Sequence, residues 1–275
     1  MAEIKATDVA KLRKMTGAGM MDCKNALVES NGDFDRAQEI IREKGKLIAA
    51  KRADRETTEG AVVAKVTENG KEGIVVALGC ETDFVANTDD FKALANKLAD
   101  AAIKNLPDTK EALEAIAVDG SPISQLISDQ TGRSGEKHVI AYYGKISGEY
   151  LISYVHMNNK LATVVAFNKV IPVEAAKDIA MQAAAMSPVS VCKEDCPPEV
   201  IERELQIGRE QARLENKPEN MIDKIAEGKL GKFFKESTLN EQAFIKDAKI
   251  SVAQYLKSVD ADAKITGFIR FSLND

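Results

Sequence analysis

Gly73-Ile-Val-Val-Ala-Leu-Gly-Cys-Glu-Thr-Asp-Phe-Val-Ala-Asn-Thr-Asp-Asp-Phe91 changes physical character three times along its length. Ile74 to Leu78 is a β-branched apolar run of the kind that fills a sheet, and Asp89-Asp90-Phe91 opens a helical pattern with Phe91, Leu94, Ala95 and Leu98 on one face. Between them, Glu81-Thr82-Asp83-Phe84-Val85 forms a strand-to-helix joint. A joint of this kind lies at the surface, so its aromatic either folds back into the core or protrudes to meet something outside the chain. Spacing alone favours the core, because Phe is among the residues most often buried.

Working outward, Ala61 to Thr67 alternates as a partner strand, and Glu68-Asn69-Gly70 supplies hairpin-turn chemistry before Gly73 to Leu78. Downstream, the helix that opens at Asp89 ends near Asn105. Asp108 with Glu111 then reads as the capping box of another helix, and Ser121-Pro122 opens a third that stops by Gly132. From Lys137 the pattern repeats in outline: His138 to Tyr143, Glu149 to Met157 and Leu161 to Asn168 read as strands, and Pro172 starts an amphipathic helix from Val173 to Met186. Aligning Leu161 to Phe167 with Gly73 to Leu78, and Glu174 to Met186 with Phe91 to Ile103, gives two hairpin-plus-helix units and implies an internal duplication. At its own joint the second unit carries Lys169-Val-Ile-Pro172, with no counterpart of Asp83-Phe84, so that pair is not a requirement of the fold unit.

Residues 5 to 45 read as three short helices. Val9 and Leu12 mark the first, Met20, Cys23 and Leu27 the second, and Phe34, Ala37 and Ile41 the third, with Thr16 to Gly19, Asn31-Gly32 and Gly45 as stops and Asp33 as a cap. Met20 and Met21 lie about 100° apart on a helix, so at least one of them is exposed. Leu47 to Thr58 is charged and reads as helical at first, a connector to the next unit. At the other end, Pro197-Pro198 begins a dense charged segment that reaches Glu236 and breaks at Asn216-Lys217-Pro218. Its apolar positions are too few for a fully buried pair, which predicts an exposed antiparallel helical hairpin. Ser251 to Lys257 reads as a short helix and Ile265 to Leu273 as a final strand. The fold class expected is therefore α+β: a helical bundle over 1–55, a sheet-plus-helix unit over 56–136, and a related unit over 137–275 that contains the hairpin 197–236.

Composition narrows the function. The 275 residues are 44% hydrophobic and 29% charged, with no apolar run near the ~18 residues of a membrane span. Met1-Ala2-Glu3-Ile4-Lys5 lacks the basic and apolar regions of a signal peptide, which predicts a cytoplasmic protein without a membrane partner. The net charge of -5 argues against a nucleic acid partner, and the 12 Lys and Arg against 9 Asp and Glu in residues 1 to 55 are interleaved as on a solvated surface. Cys23, Cys80, Cys192 and Cys196 are expected as reduced thiols; Cys192 and Cys196 are the only close pair, and with only His138 and His156 to join them, neither at matching spacing, no metal site is expected. No phosphate loop or nucleophile elbow is present, so neither an enzyme nor a cofactor is expected.

The run Cys80-Glu-Thr-Asp-Phe-Val-Ala86, downstream of Thr16-Gly-Ala-Gly-Met-Met-Asp-Cys-Lys-Asn-Ala-Leu27, resembles the bacterial elongation factor Ts family, guanine-nucleotide exchange factors for the translational GTPase elongation factor Tu. The resemblance implies that the first three helices are a ubiquitin-associated-like module docking on the GTPase domain of Tu through Arg13, Met20 and Met21. It also implies that Thr82, Asp83, Phe84 and Val85 enter beside the nucleotide and dislodge its Mg²⁺. His156, in Tyr154-Val-His156, matches a further family pattern and is a candidate contact, although Asn158-Asn159 replaces the glycines that follow it in the family. Pro218-Glu-Asn220, Glu227-Gly-Lys-Leu230 and Lys232-Phe233 match the family's projecting coiled-coil insertion, for which a second Tu contact, self-association as a homodimer and a merely solvated arm are all open. Thr266-Gly-Phe-Ile-Arg-Phe271 is expected to complete the second sheet. The partner implied is elongation factor Tu, GDP-bound and nucleotide-free; the competing classes are a nucleic-acid binder, marked by steep salt dependence, and a scaffold without effect on GDP release.

Overall fold

The computed structural model describes residues 4–274. Both faces of the apolar run Ile74 to Leu78 are buried, and this sets the layering. Strand β2 (Glu72–Cys80) lies between β1 (Glu59–Val66) and β5 (Val139–Ser147) in an antiparallel sheet. Ile74, Val76, Leu78 and Cys80 point to one side, into a core shared with helix α5 (Asp89–Asn105) through Phe91, Ala95 and Leu98. Val75 and Ala77 point to the other side, against Leu151, Ala162, Val164 and Ala166 of a second antiparallel sheet. That sheet is ordered β10 (Ile265–Ser272), β7 (Leu161–Phe167), β6 (Tyr150–Val155), and the outer face of β7, through Val165 and Phe167, packs on α8 (Val173–Met186). Helix, sheet, sheet and helix therefore form four layers, and the period-2 alternation of β2 and β7 is apolar on both sides because neither face meets water.

The two sheets share one plan. Each is built on a hairpin whose second strand is central, is covered outside by the next helix, and is completed by a strand from later in the chain, β5 in one case and β10 in the other. Val139–Ser147 thus joins the first sheet, whereas the sequence pattern groups it with the strands after it. The reason lies at Gly148, where the chain crosses from one sheet to the other: Gly148 N–H donates to Lys71 O and Leu151 N–H to Gly70 O. Pairing partners at this range are invisible to local periodicity.

Before the first sheet come α1 (Ala6–Thr16), α2 (Met20–Glu29) and α3 (Phe34–Lys51), with Val9, Leu12, Cys23, Ala26, Leu27 and Ala37 at their centre. Asp33 caps α3, accepting from the Asp35 and Arg36 N–H groups. Met20 is half exposed, so the buried face of α2 is Cys23, Ala26 and Leu27 and not the Met20-Cys23-Leu27 stripe. Met20 is the first residue of the helix and has no preceding turn to fold over.

Between β2 and β5 run α4 (Asp83–Ala86), then α5, α6 (Lys110–Ala115), the two-residue strands β3 (Ala117–Val118) and β4 (Ser121–Pro122), and α7 (Ile123–Ser134). Thr109 caps α6 in place of Asp108, whose carboxylate is 2.7 Å from Lys145 Nζ. Gly45 and Gly132, read as helix stops, lie inside α3 and α7. They are where those helices touch: a Cβ on Gly132 would sit 3.0 Å from Gly45 Cα and one on Gly45 3.2 Å from Ser128 O, so a side chain at either position would push on the other helix's backbone.

After α8, α9 (Pro198–Leu214) and α10 (Glu219–Ser237) form the expected hairpin. Gly208 faces Ala226, Arg209 Nε lies 2.9 Å from Asp223 Oδ1, and Gly208, Ala212, Ile222 and Ala226 are its only fully buried residues among those described. The strands β8 (Ala243–Phe244) and β9 (Asp247–Ser251), unforeseen in the sequence, and α11 (Val252–Val259) lead to β10.

Leu151, 3% exposed, sits in the layer between the sheets. Leu151→Ala is expected to cost about 2–5 kcal/mol of folding stability in urea denaturation. An unchanged midpoint would contradict the four-layer packing.

Candidate functional site

Strand β2 runs out at Cys80, and the chain makes a single helical turn, α4, before α5 begins. Thr82 caps that turn, its hydroxyl accepting from Val85 N–H at 3.5 Å. A turn this short has two sides. Val85 and Ala86 face inward and pack on the first core, while Asp83 and Phe84 face solvent. Phe84 is 85% exposed, which overturns the expectation from spacing that it folds into the core.

Such a turn does not hold its shape through local hydrogen bonds alone, and here it is clasped from outside. Glu136, just beyond α7, accepts from Thr82 N–H at 3.0 Å and from the Thr82 hydroxyl at 2.6 Å. In return Glu81 accepts from the Lys137 N–H at 2.6 Å, so two adjacent pairs of residues exchange hydrogen bonds. Arg52, the residue that caps α3, closes on Glu81 at 2.8 and 2.9 Å. Partial burial pushes the Glu81 carboxyl up, but the Lys137 N–H and Arg52 guanidinium outweigh it and hold the group below its ordinary range. Underneath, burial and the nearby Glu136 charge push the Cys80 thiol up to about 12, so it stays protonated and donates to Thr82 O at 3.2 Å. His138 Nδ1 lies 2.8 Å from Glu136 O and steadies the other side of the clasp. Hydrogen bonds with one charged partner contribute about 1.5–3 kcal/mol each, enough to fix a four-residue turn against its own entropy.

The other sequence-nominated residues fall in two places. Arg13, Met20 and Met21 are all exposed around the α1–α2 corner, Met21 at 63%. His156 stands apart on the β6–β7 turn, its Nδ1 2.9 Å from the Tyr154 hydroxyl. That turn is tied to β1 by Val62 N–H donating to Asn159 O and by Lys160 on Glu59 at 2.6 Å. Beside His156, Met157 is 93% exposed, an apolar surface residue that the sequence pattern did not nominate. Nor did it nominate Glu136, Lys137 or Arg52, since clasps across 29 to 56 residues leave no periodic signal.

The arrangement offers contact surface. Among the described residues no three His, Cys, Asp or Glu side chains converge as a metal site, and no helix is long and apolar enough to cross a membrane. Cys192 donates its thiol to Asp195 at 2.9 Å, while Cys196 is buried and both remain free. What projects is an aromatic side chain, beside a carboxylate, on a braced turn.

Residues 81–275 match the family described as Elongation factor TS. Over 270 residues, 97% of each chain, the sequence is 50% identical to a protein named Elongation factor Ts from Porphyromonas gingivalis. A protein of the same name from Christiangramia forsetii is 47% identical over 275 residues, covering 99% of this chain and 100% of its own, and one from Cytophaga hutchinsonii is 46% identical over 278 residues, covering 100% of both. With similarity of this degree along the whole length of each relative, the chain belongs to the elongation factor Ts family.

Proposed function

We propose that the protein is a guanine-nucleotide exchange factor for the GTPase elongation factor Tu in the cytoplasm, and that it performs no covalent chemistry of its own. The observation that carries this reading is the exposure of Phe84 on a turn clasped by Glu136 and Glu81. A free chain gains nothing by holding a phenyl ring in water, whereas burying it in a partner is worth about 1.5–3 kcal/mol. The organisation then has a division of labour: residues 1–55 supply affinity, the β1-β2-β5 sheet presents the wedge, and the second sheet adds the His156 surface and the α9–α10 arm.

The mechanism is linkage between two ligands of one GTPase. The factor and GDP each weaken the other's hold on Tu, so stabilising the nucleotide-free form speeds GDP release, and GTP later displaces the factor by the same coupling. Thr82 to Val85 enter beside the nucleotide. Mg²⁺ demands near-ideal octahedral oxygen geometry, so a small displacement of its ligands by the Phe84 ring releases it. Asp83, alongside, competes through its carboxylate for the donors that hold those ligands in place. Arg13, Met20 and Met21 dock on the GTPase domain away from this chemistry, with the flexible thioethers filling an apolar surface.

Phe84→Ala is expected to leave thermal unfolding almost unchanged, whereas a buried Phe would cost about 3–5 kcal/mol. In millimolar Mg²⁺ it should slow GDP release from Tu roughly thirtyfold, the equivalent of a 2 kcal/mol hot spot, and should matter little once Mg²⁺ is chelated. Release as fast as with the unmodified protein in Mg²⁺ would contradict the wedge, and so would a defect that circular dichroism traces to unfolding. Met21→Ala should weaken the complex with Tu by about 1 kcal/mol and leave the melting temperature in place. A change confined to melting would make Met21 a core residue and remove it from the interface.

A further inference from the structure

The two surfaces assigned to Tu are held by the same six residues, Gly132 to Lys137. At Gly132 the backbone of α7 lies directly on α3 of the bundle, with no side chain between the helices. One residue on, Arg133 Nε donates to Thr16 O at 2.5 Å and covers Gly17, where a Cβ would sit 2.7 Å from the same nitrogen. Thr16 O is among the carbonyls that the end of α1 leaves unpaired, and a cation there also meets the negative end of the helix dipole. Three residues further, Glu136 takes both Thr82 groups, and the Lys137 N–H takes Glu81. Lys137 Nζ also donates to Ala53 O and Arg55 O in the segment that leaves α3, and Arg52 returns from the end of α3 to Glu81.

These contacts close a loop. The bundle is fastened at α1 and at both the middle and the end of α3, the Phe84 turn is fastened at Thr82 and Glu81, and six residues span at most about 20 Å between the fastenings. We propose that Gly132 and Arg133 are positioning residues that lock the bundle carrying Met21 to the Phe84 turn as one preorganised two-point contact. This rests on the exchange-factor reading above for the identity of what is contacted, though not for the lock itself. Two contacts on one rigid body engage together, because the second is made without a new loss of orientation; two contacts on a loose tether do not. The same geometry explains a local oddity. Glycine is a poor residue inside a helix, and α3 and α7 both place one where the other helix touches, which lets the two backbones approach without a side chain between them.

The lock is tested first without any partner. Residual dipolar couplings of the full-length protein should fit a single alignment tensor for residues 6–51 and for the two sheets. In Gly132→Val the added side chain presses on the α3 backbone and pushes the helices apart, and the bundle's couplings should fall relative to those of the sheets. Couplings that already require separate tensors in the unmodified protein would overturn the proposal. Arg133→Ala, which removes no packing within either core, serves as the milder variant, and Arg133→Lys, which keeps a donor for Thr16 O, should restore most of what it loses. The second arm measures Tu. Gly132→Val and Arg133→Ala should weaken affinity, Gly132→Val by about tenfold, while GDP release at saturating protein is unchanged. Both losses should be smaller when Met21→Ala is already present. Undiminished weakening in the Met21→Ala background, or none in the unmodified one, would overturn the lock. If the unmodified protein fails to speed GDP release at all, the exchange-factor reading falls and the dipolar couplings still decide the lock.

Discussion

Burial of both faces of β2 is the constraint from which the rest follows. A strand that alternates Ile74, Val76 and Leu78 with Val75 and Ala77 has no side to give to solvent, so one face must find a helix and the other a second sheet. The second sheet meets the same demand through Val164 and Val165 on opposite faces of β7. Four layers are the smallest stack that satisfies both central strands. Small side chains in the inter-sheet layer, Ala77, Ala162 and Ala166, let the sheets approach closely, and Thr163, fully buried on the helix side, is satisfied by donating to Ala180 O. A central strand buried on both sides is also a rigid one. The joint at its end inherits that rigidity, which is why a four-residue turn can present a phenyl ring at a defined place.

The position of Phe84 is a balance of local terms. Its neighbours Val85 and Ala86 are drawn into the first core, and with the helical turn fixed by the Thr82 cap the ring is left pointing outward. Turning the ring inward would mean breaking the Glu136 and Glu81 clasp, at a loss of charge-assisted hydrogen bonds comparable to what burying a Phe returns. The acidic pair that forms the clasp is thus as much a part of the site as the residues that protrude. Stability and presentation are here served by the same bonds.

Much of this was legible in the residues. The apolar run, the Asn69-Gly70 turn, the Pro172 start of α8 and the Pro198 start of the charged hairpin all carry local signals and lie where those signals put them. What local pattern misses is whatever depends on a distant partner. Gly45 and Gly132 look like stops, since nothing near them in the chain announces that each is the other's contact. Val139–Ser147 sits nearer in sequence to the strands of the second sheet and pairs with the first. Phe84 is the instructive case: its hydrophobicity argues for the core, and only the motif around it, matched to a family, argued for exposure. Glu136 is 54 residues from its partner and had no signal at all.

The central claim is that the Phe84 ring waits in solvent and is buried by Tu in the step that frees GDP. Fluorine NMR of the full chain carrying 4-fluorophenylalanine only at position 84 measures this directly. The free protein should give a narrow resonance at the solvent-exposed shift. On addition of Tu bound to GDP it should be replaced by a broad, shifted one, in step with nucleotide release. A resonance that keeps its solvent-exposed shift and mobility while Tu binds and GDP departs would contradict it.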